Sequence, residues 1–349
     1  MRVAFIKHVL EPHGPWATLM ADEVCPSGTL QLWPSKVTFL SPTVAWAADW
    51  YVVDCEIPWQ SAHYGHIVGS QERIKLMRKY TAGVMAPDEV PVEDYDVVIA
   101  LYPWVKPRGD ALFTYTIQEH WDPLFLQSCA RVMDGYDLHL DGMFSSRYEL
   151  EEMPQSIGFP FPKFPQELRQ VVGTVEKSGA AWIDGRVLLA MIDRKLWNEE
   201  EARTAAEDMA RVLGIPLRYS GDFWREAFGL SDPPRWGDGL AYLRALAACK
   251  YYISMGRSWA PGEAICDAAA LGCICIGDYR KLYHRLVCHP LCMVGDEQDL
   301  KAVAWQVFDS PSLQAEALAY QERMLRQHFQ DRPMDVLAKA LSMKGVTNE

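Results

Sequence analysis

Two carboxylates four residues apart, Glu263 and Asp267, open an alanine-rich apolar run in SMGRSWAPGEAICDAAALGCICIGD, residues 254–278. Pro261 and Gly262 stand just before them, as suits a helix start that lets another group approach its backbone. The exposed amides of such a start can hold an anion such as a diphosphate. A carboxylate in the first turn can accept hydrogen bonds from hydroxyls beside that anion. Side chains four apart share a helix face, so both acids cannot meet one anion. Asp267 is then the group aimed at hydroxyls, and Glu263 turns to solvent or to a basic side chain. The same residues would also suit a capped core helix with ordinary first-turn acids.

A phosphate leaving group needs cationic compensation. Arg194 and Lys195 directly follow the apolar run RVLLAMID (186–193), and Arg257 lies in the loop before Pro261. Each is also what a solvated strand end would carry. In the first half, His120 ends the segment TYTIQEH, and KHVLEPHGPW brings His13, Gly14 and Trp16 into the loop after the first strand. Indole faces stack on sugars, although Trp46 and Trp50 have the spacing of a buried helical face.

Those residues need a scaffold. Short β-branched and apolar runs at 2–6, 36–40, 95–103, 111–117 and 136–142 read as strands of a parallel sheet covered on both faces. EEMPQSIGFPFPKFPQEL (151–168) holds four prolines and no sustained helical period, so it reads as a linker. Beyond it, 186–193, 216–222, 251–255, CICIG and 291–295 read as strands, with helices over 198–214 and 240–250 between them. Three helices close the chain, one opening at Ser310-Pro311. Strand–helix alternation on both sides of a linker implies two doubly wound, Rossmann-like α/β domains facing a cleft. Their expected bounds are 1–160 and 161–330, with 331–349 a C-terminal helix returning to the first domain. In such sheets ligands bind outside the carboxyl ends of the strands.

The chain has 349 residues, 49% of them apolar, and a formal net charge of −12. A nucleic-acid partner would call for a basic surface, so none is expected. Nine cysteines, several inside apolar runs and none in C-x-x-C spacing, read as buried thiols of a cytoplasmic protein. No stretch has the apolar length of a transmembrane segment.

The order from RVLLAMIDRK through PLRYSGD, LAYLRALAACKYYISM, WAPGEAICDAAALGCICIGD and HPLCMVGDEQDLKAVAWQVF resembles the C-terminal half of GT-B glycosyltransferases. The similarity is to the retaining, nucleotide-sugar-dependent enzymes with an E-x7-E motif. It implies that Asp267 replaces the ribose-binding glutamate, with Gly262 as the second motif glycine. Trp259 stands where that family carries its first motif acid. The resemblance further implies that Arg194, with Lys195 beside it, compensates the leaving phosphate and that His120 lies near the transferred sugar. Gly14, Arg257, Pro261 and Glu263 would join the donor site, and His13 and Trp16 the acceptor site. The implied activity moves a sugar from a nucleoside-diphosphate sugar to a glycan or small-molecule acceptor, with neither metal nor cofactor required. A catalytically degenerate nucleotide-binding module and a sugar-nucleotide epimerase are the alternatives.

Overall fold

The computed structural model describes residues 1–8, 49–53, 84–100, 105–115, 135–141, 156–159, 165–183, 207–219, 239–254, 264–295 and 300–347. The chain divides into two compact units, Met1–Pro162 with Asp331–Glu349, and Lys163–Gln330.

The first unit is built on a seven-stranded sheet: β1 (Val3–His8), β2 (Asp49–Val53), β3 (Val84–Met85), β4 (Val97–Ala100), β5 (Leu112–Tyr115), β6 (Leu138–Asp141) and β7 (Ser156–Gly158). Their spatial order is β3-β2-β1-β4-β5-β6-β7, and all neighbouring pairs are parallel. Runs such as Val97–Ala100 and Leu112–Tyr115 are buried at every position, as the continuous apolar pattern of a two-sided sheet requires.

The second unit adds α1 (Pro165–Val172), β8 (Ala181–Ile183), α2 (207–213), β9 (Leu217–Tyr219), α3 (Gly239–Ala247) and β10 (Tyr251–Ser254). It continues through α4 (Ala264–Ala270), β11 (Ile274–Asp278), α5 (Leu282–Val287), β12 (Met293–Val294), α6 (Leu300–Asp309) and α7 (Pro311–Leu325). This sheet is parallel, in the order β12-β11-β10-β8-β9. Alternate residues Ala181, Ile183, Tyr251, Ile253, Ile274 and Ile276 form one core with Met209 and Leu213 of α2 and Leu300, Ala304 and Val307 of α6. On the opposite face Cys275 Sγ lies 3.8 Å from the Ile265 carbonyl of α4, so the sheet is covered on both sides. A π-helical segment, Arg326–Asp331, leads from α7 into α8 (Arg332–Thr347). Lys344 of α8 then reaches the Ala111 carbonyl at 2.6 Å and Asp137 at 2.8 Å within the first unit.

Several expectations change. The segment 151–168 is not structureless: Ser156–Gly158 is a strand, and Pro165 begins α1. Proline is tolerated at both places, since β7 lies between Pro154 and Pro160 at the sheet's end and Pro165 occupies a helix's first turn. Trp50 lies in β2, so its helical spacing to Trp46 has no helix behind it. A strand absent from the sequence reading, β8, lies at Ala181–Ile183, whereas 186–193 falls outside the described residues. The run at 291–295 is strand only at Met293–Val294, preceded by a 3-10 turn over Pro290–Cys292. Ser310 caps α7 as its position predicts, accepting a hydrogen bond from the Leu313 amide at 3.2 Å.

Candidate functional site

A parallel sheet offers a ligand site where consecutive strands leave in opposite directions, at their carboxyl ends. In the first unit that point lies between β1 and β4, and in the second between β8 and β10. The chain carrying His13, Gly14 and Trp16 leaves the first switch strand, β1. Arg194 and Lys195 follow β8, while Arg257, Pro261, Gly262 and Glu263 follow β10. His120 follows β5. These residues themselves lie outside the described residues.

Asp267 is described. It stands in the first turn of α4, the helix after the β10 switch strand, and its side chain is fully buried. The helix is locked at its far end by two backbone bonds, Gly272 N–H to Ala269 and Cys273 N–H to Ala268, both near 3 Å. That closing turn needs a left-handed residue, and Gly272 supplies it at φ 75°. Cations finish the terminus: Arg169 Nε donates to the Ala270 carbonyl at 2.6 Å and Lys177 Nζ to that of Leu271 at 3.0 Å. The α4–β11 hairpin is therefore held where the sheet's amino ends lie, and Asp267 stands midway along the seven-residue helix, its carbonyl accepting from the Leu271 amide at 2.9 Å.

The next strand carries a second buried carboxylate. Asp278 ends β11 and is fully buried. Arg280 donates three bonds to it, from its backbone amide (2.9 Å), Nε (2.8 Å) and Nη2 (2.5 Å). The Asp278 amide donates to Nδ1 of His284 at 2.8 Å. This bond requires the neutral imidazole, and burial, reinforced by nearby Lys281, holds the His284 pKa well below its ordinary range. Gly277 makes the close packing possible, because a Cβ there would sit 2.8 Å from Cys288 Sγ and 3.0 Å from His284 Nδ1. A charged pair at 278 and 280 is visible in the sequence, but its burial depends on α5 folding back over Gly277.

The edge of β11 is also closed. β12 pairs only with Gly277 and Asp278, and Gln321 of α7 serves the earlier residues. Its amide accepts from the Cys275 N–H at 3.0 Å and donates to the Cys273 carbonyl at 2.8 Å. The described cysteines 249, 266, 273, 275, 288 and 292 are buried and form no disulfide. Burial raises the pKa of Cys249 and Cys292 to about 12, so neither offers a thiolate near neutrality.

The chain contains an Asp-x-Asp triplet, Asp94-Tyr95-Asp96, which the metal-free reading of the sequence leaves out of account. It precedes the amino end of β4, and Asp96 accepts from the Arg2 amide at 2.6 Å, so it lies at the end opposite the switch point. Among the described residues no group of three or more His, Cys, Asp or Glu side chains is placed to hold a metal ion. None of the described helices is long and apolar enough to cross a membrane.

No family model matches the sequence, and no curated protein matches it. Solved structures do match. Anabaena HepE in complex with UDP is 12% identical, with a TM-score of 0.51 over 99% of both chains. Sucrose-phosphate synthase from Thermosynechococcus elongatus is 11% identical, with a TM-score of 0.47 over 100% of this chain and 98% of that one. T4 phage β-glucosyltransferase is 10% identical, with a TM-score of 0.47 over 98% and 99%. These neighbours are GT-B glycosyltransferases. At such identities the likeness is one of fold, and it rests on the first of the three. The fold class expected from the sequence, α/β with two Rossmann-like parallel sheets, is the one observed.

Proposed function

We propose that the protein is a glycosyltransferase that takes a sugar from a nucleoside-diphosphate sugar, with the donor seated at the carboxyl end of β10. One observation carries this reading: the segment 255–263 and Asp267 directly follow the switch strand of the second sheet. The fold shared with HepE, a protein solved with UDP, supports it. In this reading the backbone around Gly262 holds the diphosphate and Asp267 accepts the ribose hydroxyls. Arg194, Lys195 and Arg257 compensate phosphate charge, with Pro261, Glu263 and Gly14 completing the donor site. His120 lies by the transferred sugar, and His13 and Trp16 meet a glycan or small-molecule acceptor. Transfer proceeds with retention and without a metal ion.

Because the Asp267 side chain is fully buried, a pentose can reach it only if what covers it moves. The same burial favours a second reading, a GT-B module that binds nucleotide without turnover. Measuring nucleoside diphosphate released from UDP- and GDP-sugars separates the two. Release that requires an acceptor and persists in EDTA supports transfer. Nucleotide binding with no release across a broad acceptor panel supports the module, and release abolished by EDTA overturns the metal-free scheme.

A further inference from the structure

Arg280 belongs to no part of the site described from the sequence. β10 and β11 are adjacent and parallel, with Ser254 opposite Gly277. Neighbouring strands lie about 4.8 Å apart. Asp278 therefore stands one residue beyond the level at which 255–263 leaves β10, and Arg280 follows in the turn. This end of β11 flanks the switch strand on the side away from β8.

The arginine is fixed from beneath. Both carboxylate oxygens of Asp278 take donors from it, through a fork of Nε and Nη2 and through the Arg280 backbone amide. The Asp278 backbone is itself pinned by His284, over a glycine with no room for a methyl group. The carboxylate is fully buried, whereas the Arg280 side chain keeps 28% of its surface in water. The negative partner thus faces inward and the cation keeps contact with solvent. Burying a carboxylate is unfavourable unless its partner geometry is excellent, and a neutral residue would close a plain strand-to-helix turn at less cost. The fork is made by Nε and Nη2 of a guanidinium, a group whose planar shape matches phosphate oxygens.

We propose that Arg280 is a phosphate ligand for the nucleoside-diphosphate donor, held in position by Asp278 at the carboxyl end of β11. This rests on the reading that the second unit binds such a donor beside β10. Asp278 is the positioning residue: it touches Arg280 and not the donor.

Calorimetric titration of the full chain with UDP, GDP and ADP, and with the matching nucleosides, tests the assignment. The wild type should bind a diphosphate more tightly than its nucleoside. Arg280→Met should weaken the diphosphate at least 10-fold and leave the nucleoside unchanged, with Arg280→Lys in between. Equal diphosphate binding by wild type and Arg280→Met overturns the role of Arg280 alone. A wild type that binds none of the three diphosphates overturns the donor reading and this inference with it. Should Arg280→Met fail to fold, an arginine-directed dicarbonyl reagent on the wild type gives the answer. The bound diphosphate should protect the peptide bearing Arg280 where the nucleoside does not, and equal labelling with either overturns the proposal.

Discussion

The two sheets share a topology but treat charge differently. Among the described residues both fully buried carboxylates, Asp267 and Asp278, lie in the second unit, as does the buried Lys281. In the first unit the described charged groups gather at the rim. Asp49 accepts from the Tyr95 hydroxyl at 2.7 Å, and the Arg2 guanidinium lies 4.9 Å from the Tyr95 ring centre, at the amino ends of β2 and β4. Desolvation, with the Tyr51 and Asp49 contacts, pushes the Tyr95 phenol far above its ordinary range, so that phenol stays protonated and its role is structural. A sheet accepts buried charge only where partners or function repay desolvation. In the proposed reading these buried carboxylates of the second unit serve the donor beside the carboxyl ends of β10 and β11.

The largest effect expected is at Asp267. Asp267→Asn keeps the shape and removes the charge, and sugar transfer should fall by roughly 100-fold, or about 3 kcal/mol, with little change in melting temperature. Normal turnover by this variant would erase the contrast between the units. Next is Gln321→Leu, which strips partners from the Cys275 amide and the Cys273 carbonyl. A loss of about 2–3 kcal/mol in urea unfolding is expected, since buried unmet backbone groups are costly. Gly277→Ala should destabilise by about 1–3 kcal/mol through overpacking against Cys288 and His284. Adding Cys288→Ala should recover part of that loss, and a fully stable single variant would mean that α5 is loosely packed.

The pH dependence sharpens the same comparison. His284 is neutral in the fold and its pKa is depressed by burial, whereas the unfolded chain takes up a proton near 6.5. The unfolded state thus binds more protons below that pH. Stability should hold above about pH 6.5 and fall below it, at up to about 1.4 kcal/mol per pH unit, until His284 itself protonates in the fold. His284→Gln should flatten this limb in denaturant titrations. The smallest effect belongs to the first unit. Lys344 and Asp137 are 20% and 29% exposed, so removing their ion pair with Lys344→Met should cost under about 1 kcal/mol after solvent screening.

Sequence pattern exposed some of this architecture and hid the rest for physical reasons. Val97–Ala100, Leu112–Tyr115 and Tyr251–Ser254 are legible because two-sided burial demands unbroken apolar runs. The three-residue strands Ser156–Gly158 and Ala181–Ile183 are too short to show a period, and their pairing comes from neighbours far along the chain. Asp267 stood out through its spacing after Pro261 and Gly262, but nothing local announces that it is buried. The Asp278–Arg280–His284 arrangement was missed because its meaning depends on α5 closing over Gly277. Gln321 likewise reads as one more polar helix residue until α7 lies along the unpaired edge of β11.

A crystal structure of the chain soaked with UDP tests the central claim most directly. The account predicts the nucleotide at the carboxyl end of β10, with ribose hydroxyls within hydrogen-bonding distance of the Asp267 carboxylate. A nucleotide bound elsewhere, or one bound there while Asp267 stays enclosed and out of reach, would contradict it.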